Sequence, residues 1–370
     1  MKILKLIFSR IGIIAISISI QVLWLLEIIN NFSQYYIAIN IILTVLSILI
    51  LLTIIRLERH LTNKIPWILL IIIFPIFGGI LFIFIGTNLY SSPTLKRIYR
   101  NKQKEKHYLV QDNQILKEIN KQDEDIYGQI NYISQYVGYP IYKNSFIDYY
   151  PLGEDAYKVM LEELKKAKKF IFIEYFIIET GEMWQGILDI LEQKVKEGVD
   201  VRIIYDDFGT IGKLPFHYKK VLKKKCIKCL VFNRLIPVVA VFMNNRDHRK
   251  ILVIDGNVVF SGGINIADEY INKKKRFGHW KDNGIMIKGE ATWNYTVMFL
   301  NIWNAYKNED KDFNKFKPTI KNVSSDSGYI APYGDYPLDK ELVGENIYLN
   351  IINQSKKYVY IFTPSSMSIS

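Results

Sequence analysis

Apolar residues are distributed very unevenly along the chain. Residues 11–29, 36–55 and 66–86 are each almost wholly apolar, and each comes close to the roughly 20 residues a helix needs to cross a bilayer. The pattern predicts a membrane anchor over 1–90 with two or three hydrophobic segments. Beyond about residue 110 the periodicity changes. GEDAYKVMLEELKKAKK (153–169) has apolar residues at helical spacing and closes in lysines, which suit a helix C-terminus. FIFIEYFII (170–178) follows as a buried strand, WQGILDILEQKVKEGV (184–199) as a helix stopping at Gly198, and DVRIIYDD (200–207) as a second strand. Helix alternating with strand predicts an α/β domain whose mixed or parallel sheet is flanked by helices. The polar, basic stretch at 91–130 reads as a linker between anchor and domain.

Charge refines the picture of the anchor. The chain has 370 residues and a formal net charge of +12. Residues 1–110 contribute twelve Lys and Arg against three acids, so most of the excess flanks the hydrophobic runs. Anionic headgroups attract such segments by about 1 kcal/mol per basic residue, which accounts for the charge without nucleic acid. Plain topology determinants account for it equally well. The first run follows Lys2, Lys5 and Arg10, as in a signal peptide, but it is long and no small-residue cleavage site follows, so a retained anchor is expected. Pro75, Gly78 and Gly79 interrupt the third run, which leaves a full crossing and a re-entrant hairpin both open. Basic residues in 56–64 and 94–106, against an uncharged 30–36 loop, favour a cell-membrane, multi-pass protein with a cytoplasmic soluble part. Cys226 and Cys229 lack the further ligands a zinc site needs, and read as ordinary reduced cysteines.

The candidate chemistry lies in DHRKILVIDG (247–256). On a short strand His248 and Lys250 would share a face, with Asp255 at the closing turn. A second strand, NVVF, then ends in the small-residue loop SGGIN. The spacing H-x-K-x4-D-x6-G-G-x-N runs from His248 through Gly262 and Gly263 to Asn265. Glycine loops let backbone N–H groups approach an anion, and Asn can donate to a phosphate oxygen. His248, Lys250 and Asn265 on one face would make a phosphate pocket. Glu174 stands in an otherwise apolar strand, where a carboxylate is costly unless paired; orienting a site His or Lys and forming a structural salt bridge are both open. Asp206 and Asp207 sit at a strand end, suited to chemistry or to a turn, and Trp280 and Lys281 suit a headgroup site or the core.

This stretch resembles the HKD motif of the phospholipase D superfamily, and its surroundings resemble bacterial cardiolipin synthases. IEYFII (173–178), GVDVRIIYDDFGT (198–210), NNRDHRKILVIDGNVVFSGGINIADEY (244–270) and HWKDNGIMIKGEA (279–291) stand in that family's order. Gly263 departs from the many superfamily members that carry Ser there. The resemblance implies a phospholipase D-type mixed sheet and an activity: phosphatidyl transfer between two phosphatidylglycerol molecules with release of glycerol. One histidine, His248, would attack phosphorus and a second would protonate the leaving alcohol, with Lys250 on the non-bridging oxygens. It implies no metal and no organic cofactor, with phosphatidylglycerol, anionic membrane lipid and the membrane as partners and nucleic acid excluded.

His60, His107, His217 and His279 are not in an H-x-K setting, so one motif is present without a partner. KKFIFIEYF (168–176) recurs in outline as KKYVYIFTP (356–364), an offset of 188 residues that puts a second motif near residue 436. The expected organisation is a first phospholipase D-type half over 131–325 and the truncated start of a second over 326–370. The alternative is a homodimer in which two copies of His248 meet, the missing half arriving in trans. Three readings stay open: a cardiolipin synthase, inactive alone if truncated; another phospholipase D-type phosphodiesterase; and a non-catalytic, membrane-anchored lipid-binding remnant.

Overall fold

The computed structural model describes residues 16, 18–23, 26, 34–56, 61–83, 93–143, 145–234, 246–276, 278–320, 323, 328–336 and 342–361. The chain divides into two compact units, one of residues 1–92 with 234–245 and one of residues 93–233 with 246–370.

In the first unit, α1 spans Gln34–Arg56, α2 Leu61–Ile73 and α3 Pro75–Leu81. Most of the first apolar run lies outside the described residues. The third is broken at Phe74, where Pro75 takes the first position of a new helix, the place where its missing N–H costs nothing. Gly78 permits the sharp return: a Cβ there would stand 2.7 Å from the Leu70 carbonyl oxygen. Ile54, Ile71 and Phe82 are buried together, and Trp67 meets Phe82 edge-on at 5.5 Å. Among the residues whose side chains are described, no helix is long and apolar enough to cross a membrane. The side chains of 34–37, 39 and 40 in α1 lie outside that set.

The second unit opens with α4 (Pro93–Lys104), α5 (Asn113–Gln122) and α6 (Glu124–Asn131). The expectation of a linker over 91–130 is therefore corrected. These basic, polar helices are amphipathic, bury Ile98, Leu116 and Ile119, and are capped at Asp112 and Asp123, whose carboxylates accept from Gln114 N and Ile126 N.

A mixed sheet follows, with β1 (Ser145–Tyr150), α7 (Gly153–Lys165), β2 (Phe170–Tyr175), α8 (Glu182–Lys196), β3 (Asp200–Asp206), α9 (Tyr218–Lys224), β4 (Lys228–Phe232), β5 (Lys250–Ile254), β6 (Val258–Gly262), β7 (Gly284–Gly289) and α10 (Thr292–Lys307). Its order is β1-β7-β6-β5-β2-β3-β4. β2, β3 and β4 run parallel, joined by helices, while β5 returns antiparallel to β2 with Tyr175 opposite Lys250. Alternation along β2 sends Ile171, Ile173 and Tyr175 into the core cluster shared with α7 and α8. Phe172 goes to the other face, where it stacks on Phe299 of α10 at 4.5 Å, and Glu174 shares that face by parity. The expected α/β class and flanking helices are thus present.

The repeat is present only in part. α11 (Val343–Gln354) starts at the second G-E-N element, as α7 does at the first. Residues 356–361 form no strand, and Tyr358 and Tyr360 are exposed. A strand takes its backbone partners from neighbouring strands, and none of the described strands pairs with this segment.

Asp255 lies at the end of β5 remote from His248. In the left-handed turn after the strand (φ 53°), its carboxylate accepts from the backbone N–H groups of Lys168, Lys169 and Phe170 at 2.7–2.8 Å. It clamps the start of β2 to the end of β5, an architectural contact at the closing turn. Asp255→Ala should lower the unfolding free energy by about 1–2 kcal/mol, because one part-buried and two exposed backbone donors lose a charged acceptor. Urea denaturation of the chain in micelles, followed by tryptophan fluorescence, checks this; an unchanged midpoint would contradict the clamp.

Candidate active site

β5 begins at Lys250, so His248 sits two residues before the strand rather than on it. The approach is kept nonetheless. Lys250 Nζ lies 3.2 Å from both ring nitrogens of His248 and donates to the His248 carbonyl at 2.7 Å. The Phe176 ring, continuing from β2, packs on the imidazole at 4.8 Å. The C-terminal ends of β2, β3 and β4 and the start of β5 meet at this edge, where α/β sheets place their ligands.

A cavity of about 570 Å³ opens here, lined by His248, Lys250, Ser261, Gly262, Gly263, Asn265, Tyr270, Trp280, Asp282, Tyr295, Tyr333 and Asp335, among others. Its electrostatics follow from incomplete solvation. Burial pushes the Lys250 ammonium down to about 8, with Asp247 and Asp282 pulling the other way. His248 is lowered by partial desolvation first and by the adjacent Lys250 second. An imidazole whose protonation is disfavoured beside a cation suits a nucleophile approaching a phosphodiester anion. Among the described lining residues His248 is the sole histidine. Among the described residues no cluster of three or more His, Cys, Asp or Glu is disposed to hold a metal ion.

Gly262, Gly263 and Asn265 line the cavity, but their hydrogen bonds differ from the expected anion cradle. Gly263 N–H donates to the Asn283 carbonyl at 3.0 Å. Asn265 accepts from Ile177 N at 3.1 Å and donates to the Tyr270 hydroxyl at 2.8 Å. Gly263 N–H and the Asn265 amide thus make contacts that build the cavity wall. The glycines answer a close approach: a Cβ on Gly262 would meet the Asn283 oxygen at 2.5 Å, and one on Gly263 the Asp282 carboxylate at 2.0 Å. Serine at 263 would displace Asp282, which accounts physically for glycine at that position.

Glu174 is fully buried, on the opposite face of the sheet from Lys250, whose register partner is Tyr175. Its partner is Arg249, the residue between His248 and Lys250. Arg249 Nη2 lies 2.7 Å from Glu174 Oε1, and Arg249 Nε donates to Asp247 Oδ1 at 3.1 Å. Asp247 N in turn donates to Asp206 Oδ2 at 3.1 Å. Asp206, also fully buried, accepts from Phe208 N and Gly209 N, which settles its role as a turn and tether. Trp280 stacks edge-on against Tyr270 at 5.4 Å and lines the cavity; Lys281 is exposed. Neither Cys226 nor Cys229 is in a disulfide; the first is exposed and the second buried.

Sequence reasoning missed Arg249, which reads as a surface residue beside the motif. It also missed Tyr333 and Asp335, which stand in a segment assigned to the beginning of a second half. For Arg249 the lone acid in the apolar β2 was the available signal.

Desolvation dominates at Glu174 and pushes its carboxyl well above the ordinary range, against the attraction of Arg249. Two buried carboxyls facing one guanidinium favour keeping one proton. In the unfolded chain Glu174 ionises near 4.5, whereas folding retains the proton, so its contribution is full below that pH and declines as pH rises toward the folded value. Glu174→Gln should abolish this decline, with a relative slope approaching about 1.4 kcal/mol per pH unit. Arg249→Met should destabilise by about 3–5 kcal/mol, leaving acids without their cation. Urea midpoints of the three proteins between pH 5 and 8 test both; parallel pH profiles for wild type and Glu174→Gln would contradict the assignment.

Comparison with known proteins places these features. Residues 160–303 match the family described as cardiolipin synthase, PLD-like domain, and residues 45–86 match the phospholipase D-nuclease N-terminal family. An uncharacterised protein of Streptococcus mutans is 44% identical over 81% of this chain and 65% of its own length. A cardiolipin synthase of Staphylococcus aureus is 29% identical over 86% of this chain and 66% of its own, and cardiolipin synthase 2 of Staphylococcus epidermidis is 30% identical over 90% and 70%. The chain thus spans about two thirds of the length of these relatives. Among solved structures, the phospholipase D family member Nuc of Salmonella typhimurium aligns over 44% of this chain and 96% of its own, with 19% identity and a TM-score of 0.34. With the match to the staphylococcal synthases running from the apolar N-terminal helices through the His248 cavity, the chain belongs to the bacterial cardiolipin synthases of the phospholipase D (HKD) superfamily.

Proposed function

We propose that this chain supplies the nucleophilic side of a phosphatidyl transfer in which two phosphatidylglycerol molecules give cardiolipin and glycerol. The observation that carries the reading is the His248–Lys250 pair: a neutral-leaning imidazole 3.2 Å from an ammonium, both on one cavity. A His248 ring nitrogen attacks the phosphorus of the first phosphatidylglycerol. The P–N bond forms as the bond to the glycerol headgroup oxygen breaks, and Lys250 neutralises the non-bridging oxygens. The departing oxygen takes a proton from a general acid and leaves as glycerol. A hydroxyl of the second phosphatidylglycerol, deprotonated by the same group, then attacks phosphorus and releases His248. Splitting one displacement into two restores the enzyme without a redox or group-carrying cofactor. The acid in this reading is a second histidine from outside the described lining of the cavity, in which His248 is the sole histidine.

In this reading the first unit is embedded in the cell membrane and the sheet unit is cytoplasmic. Support comes from α1, which leaves Ile42, Val45, Leu49 and Ile55 about half or more exposed, a surface that suits lipid as solvent. Cys226, exposed on the sheet unit, should react with a membrane-impermeant maleimide in inverted vesicles and not in intact cells. Labelling in intact cells would reverse the sidedness.

Conversion of labelled phosphatidylglycerol in lipid micelles tests the chemistry. His248→Ala should lose at least about 10³-fold in cardiolipin and glycerol formation; turnover that persists in the variant would sink the reading. Phosphoenzyme formation should follow a bell in pH. It rises as His248 deprotonates, below its ordinary 6.5, and falls as Lys250 loses its proton near about 8. Lys250→Arg should lose the alkaline limb, because a guanidinium stays charged. An alkaline limb unchanged in that variant would assign it to another group.

A further inference from the structure

The loop between β3 and α9 presents three apolar side chains to solvent within nine residues: Phe208 at 56% exposure, Ile211 at 59% and Phe216 at 98%. Exposed apolar residues scattered singly are ordinary, but a cluster calls for a partner. The loop is fixed in place. Asp206 accepts from Phe208 N and Gly209 N, Thr210 Oγ1 donates to the Asp206 carbonyl at 2.8 Å, and Thr180 N donates to the Lys213 carbonyl at 3.2 Å. Gly209 lies so close to Phe176 that a Cβ would stand 2.1 Å from its carbonyl oxygen. Phe176 is the residue whose ring packs on His248, so the loop rises from the rim of the active site. Behind it, the short helix α9 carries the exposed lysines Lys220, Lys223 and Lys224. Aromatic tips backed by lysines match a bilayer whose boundary is apolar and whose headgroups are anionic.

We propose that the 208–216 loop is a membrane-interface contact: Phe208, Ile211 and Phe216 enter the headgroup and acyl boundary of an anionic bilayer while the α9 lysines meet its headgroups. The contact holds the mouth of the His248 cavity against the surface in which a phosphatidylglycerol substrate resides, and to that extent it rests on the proposed function. Its position at the ends of the parallel strands gives it this geometry. Strand ends that carry a nucleophile and a loop that carries the lipid contact share one edge of the sheet, so a headgroup need travel only from the interface to the adjoining cavity.

The test reads depth separately from catalysis. In the full chain reconstituted into vesicles, with Cys226→Ser to remove the exposed native thiol, a fluorophore is attached through Phe216→Cys. A control carries it through Lys165→Cys, at the C-terminus of α7 and the opposite end of the sheet. In vesicles of phosphatidylglycerol and phosphatidylcholine containing lipids brominated along the acyl chain, the label at 216 should be quenched and the label at 165 should not. Equal quenching at the two positions overturns the contact, and equal quenching at 216 in vesicles of phosphatidylcholine alone overturns the anionic preference. A second variant, Phe216→Ser with Ile211→Ser, should raise the KM for vesicle phosphatidylglycerol about tenfold with kcat unchanged and leave turnover of short-chain, monomeric phosphatidylglycerol unaltered. Loss of turnover on both substrates to the same degree would overturn a surface role. Absence of turnover in the parent protein would count against the proposed function alone, because the depth measurement does not depend on it.

Discussion

Arg249, half-buried between Glu174 and Asp247, fixes the entry of β5 into the sheet, and the rest of the site depends on that entry. A guanidinium offers several donors in a rigid plane. Here one edge faces the carboxyl of β2 while Nε binds the acid two residues upstream. Lys250, opposite Tyr175 in the register, points to the other face of the sheet from Glu174, and its ammonium holds the His248 carbonyl at 2.7 Å. The His248–Lys250 pair thus flanks the residue that ties this entry to β2. Because two carboxyls share one cation, the cluster is stable only with a proton retained or a strong bias toward Arg249. Removing the cation is therefore more damaging than neutralising Glu174.

The same cluster joins three loops into one edge. Asp247 binds the Asp206 carboxylate through its backbone N–H, Asp206 folds the loop beyond β3, and Arg246 donates to the Asn233 carbonyl at the end of β4 at 3.0 Å. Strand ends that would otherwise vary independently are thereby tied within a hydrogen bond of each other. At the far end of β5, Asp255 makes the corresponding clamp to β2. β5 is pinned at both ends, at one by architecture alone and at the other by a cluster that also orients the chemistry. The spacing of His, Lys and Asp in the motif thus serves two separate places in the fold.

Much of the sheet unit was legible because its signals are local. Helix periodicity at 153–169, the apolar β2 and the turn at Asp255-Gly256 each specify an element within a few residues. What could not be read is what depends on partners distant in sequence. Glu174 announced itself as a buried acid, but its cation became evident only when β5 paired antiparallel with β2. The glycines at 262 and 263 suggested free backbone donors, whereas the chain at 282–284 comes back to occupy that space. Residues 91–130 looked like a linker because their polarity conceals a narrow apolar stripe that buries Ile98, Leu116 and Ile119. The strand expected at 356–361 illustrates the converse: local pattern is insufficient where no neighbouring strand provides backbone partners.

Lys250 shows how these constraints become chemistry. Among the described residues no acid lies within ion-pair distance of it, and burial weakens its hold on the proton. An ammonium left in this condition would gain from an incoming anion, which in the proposed reaction is the phosphodiester. Desolvation first, and the same ammonium second, lower the His248 pKa, since two cations at 3.2 Å in a partly desolvated site repel. In the proposed transfer, a phosphate that neutralised Lys250 would lower that repulsion, and the imidazole could accept positive charge as its bond to phosphorus formed. In that reading the substrate relieves the electrostatic condition that prepared the nucleophile, so the charge that binds the anion also favours the attack.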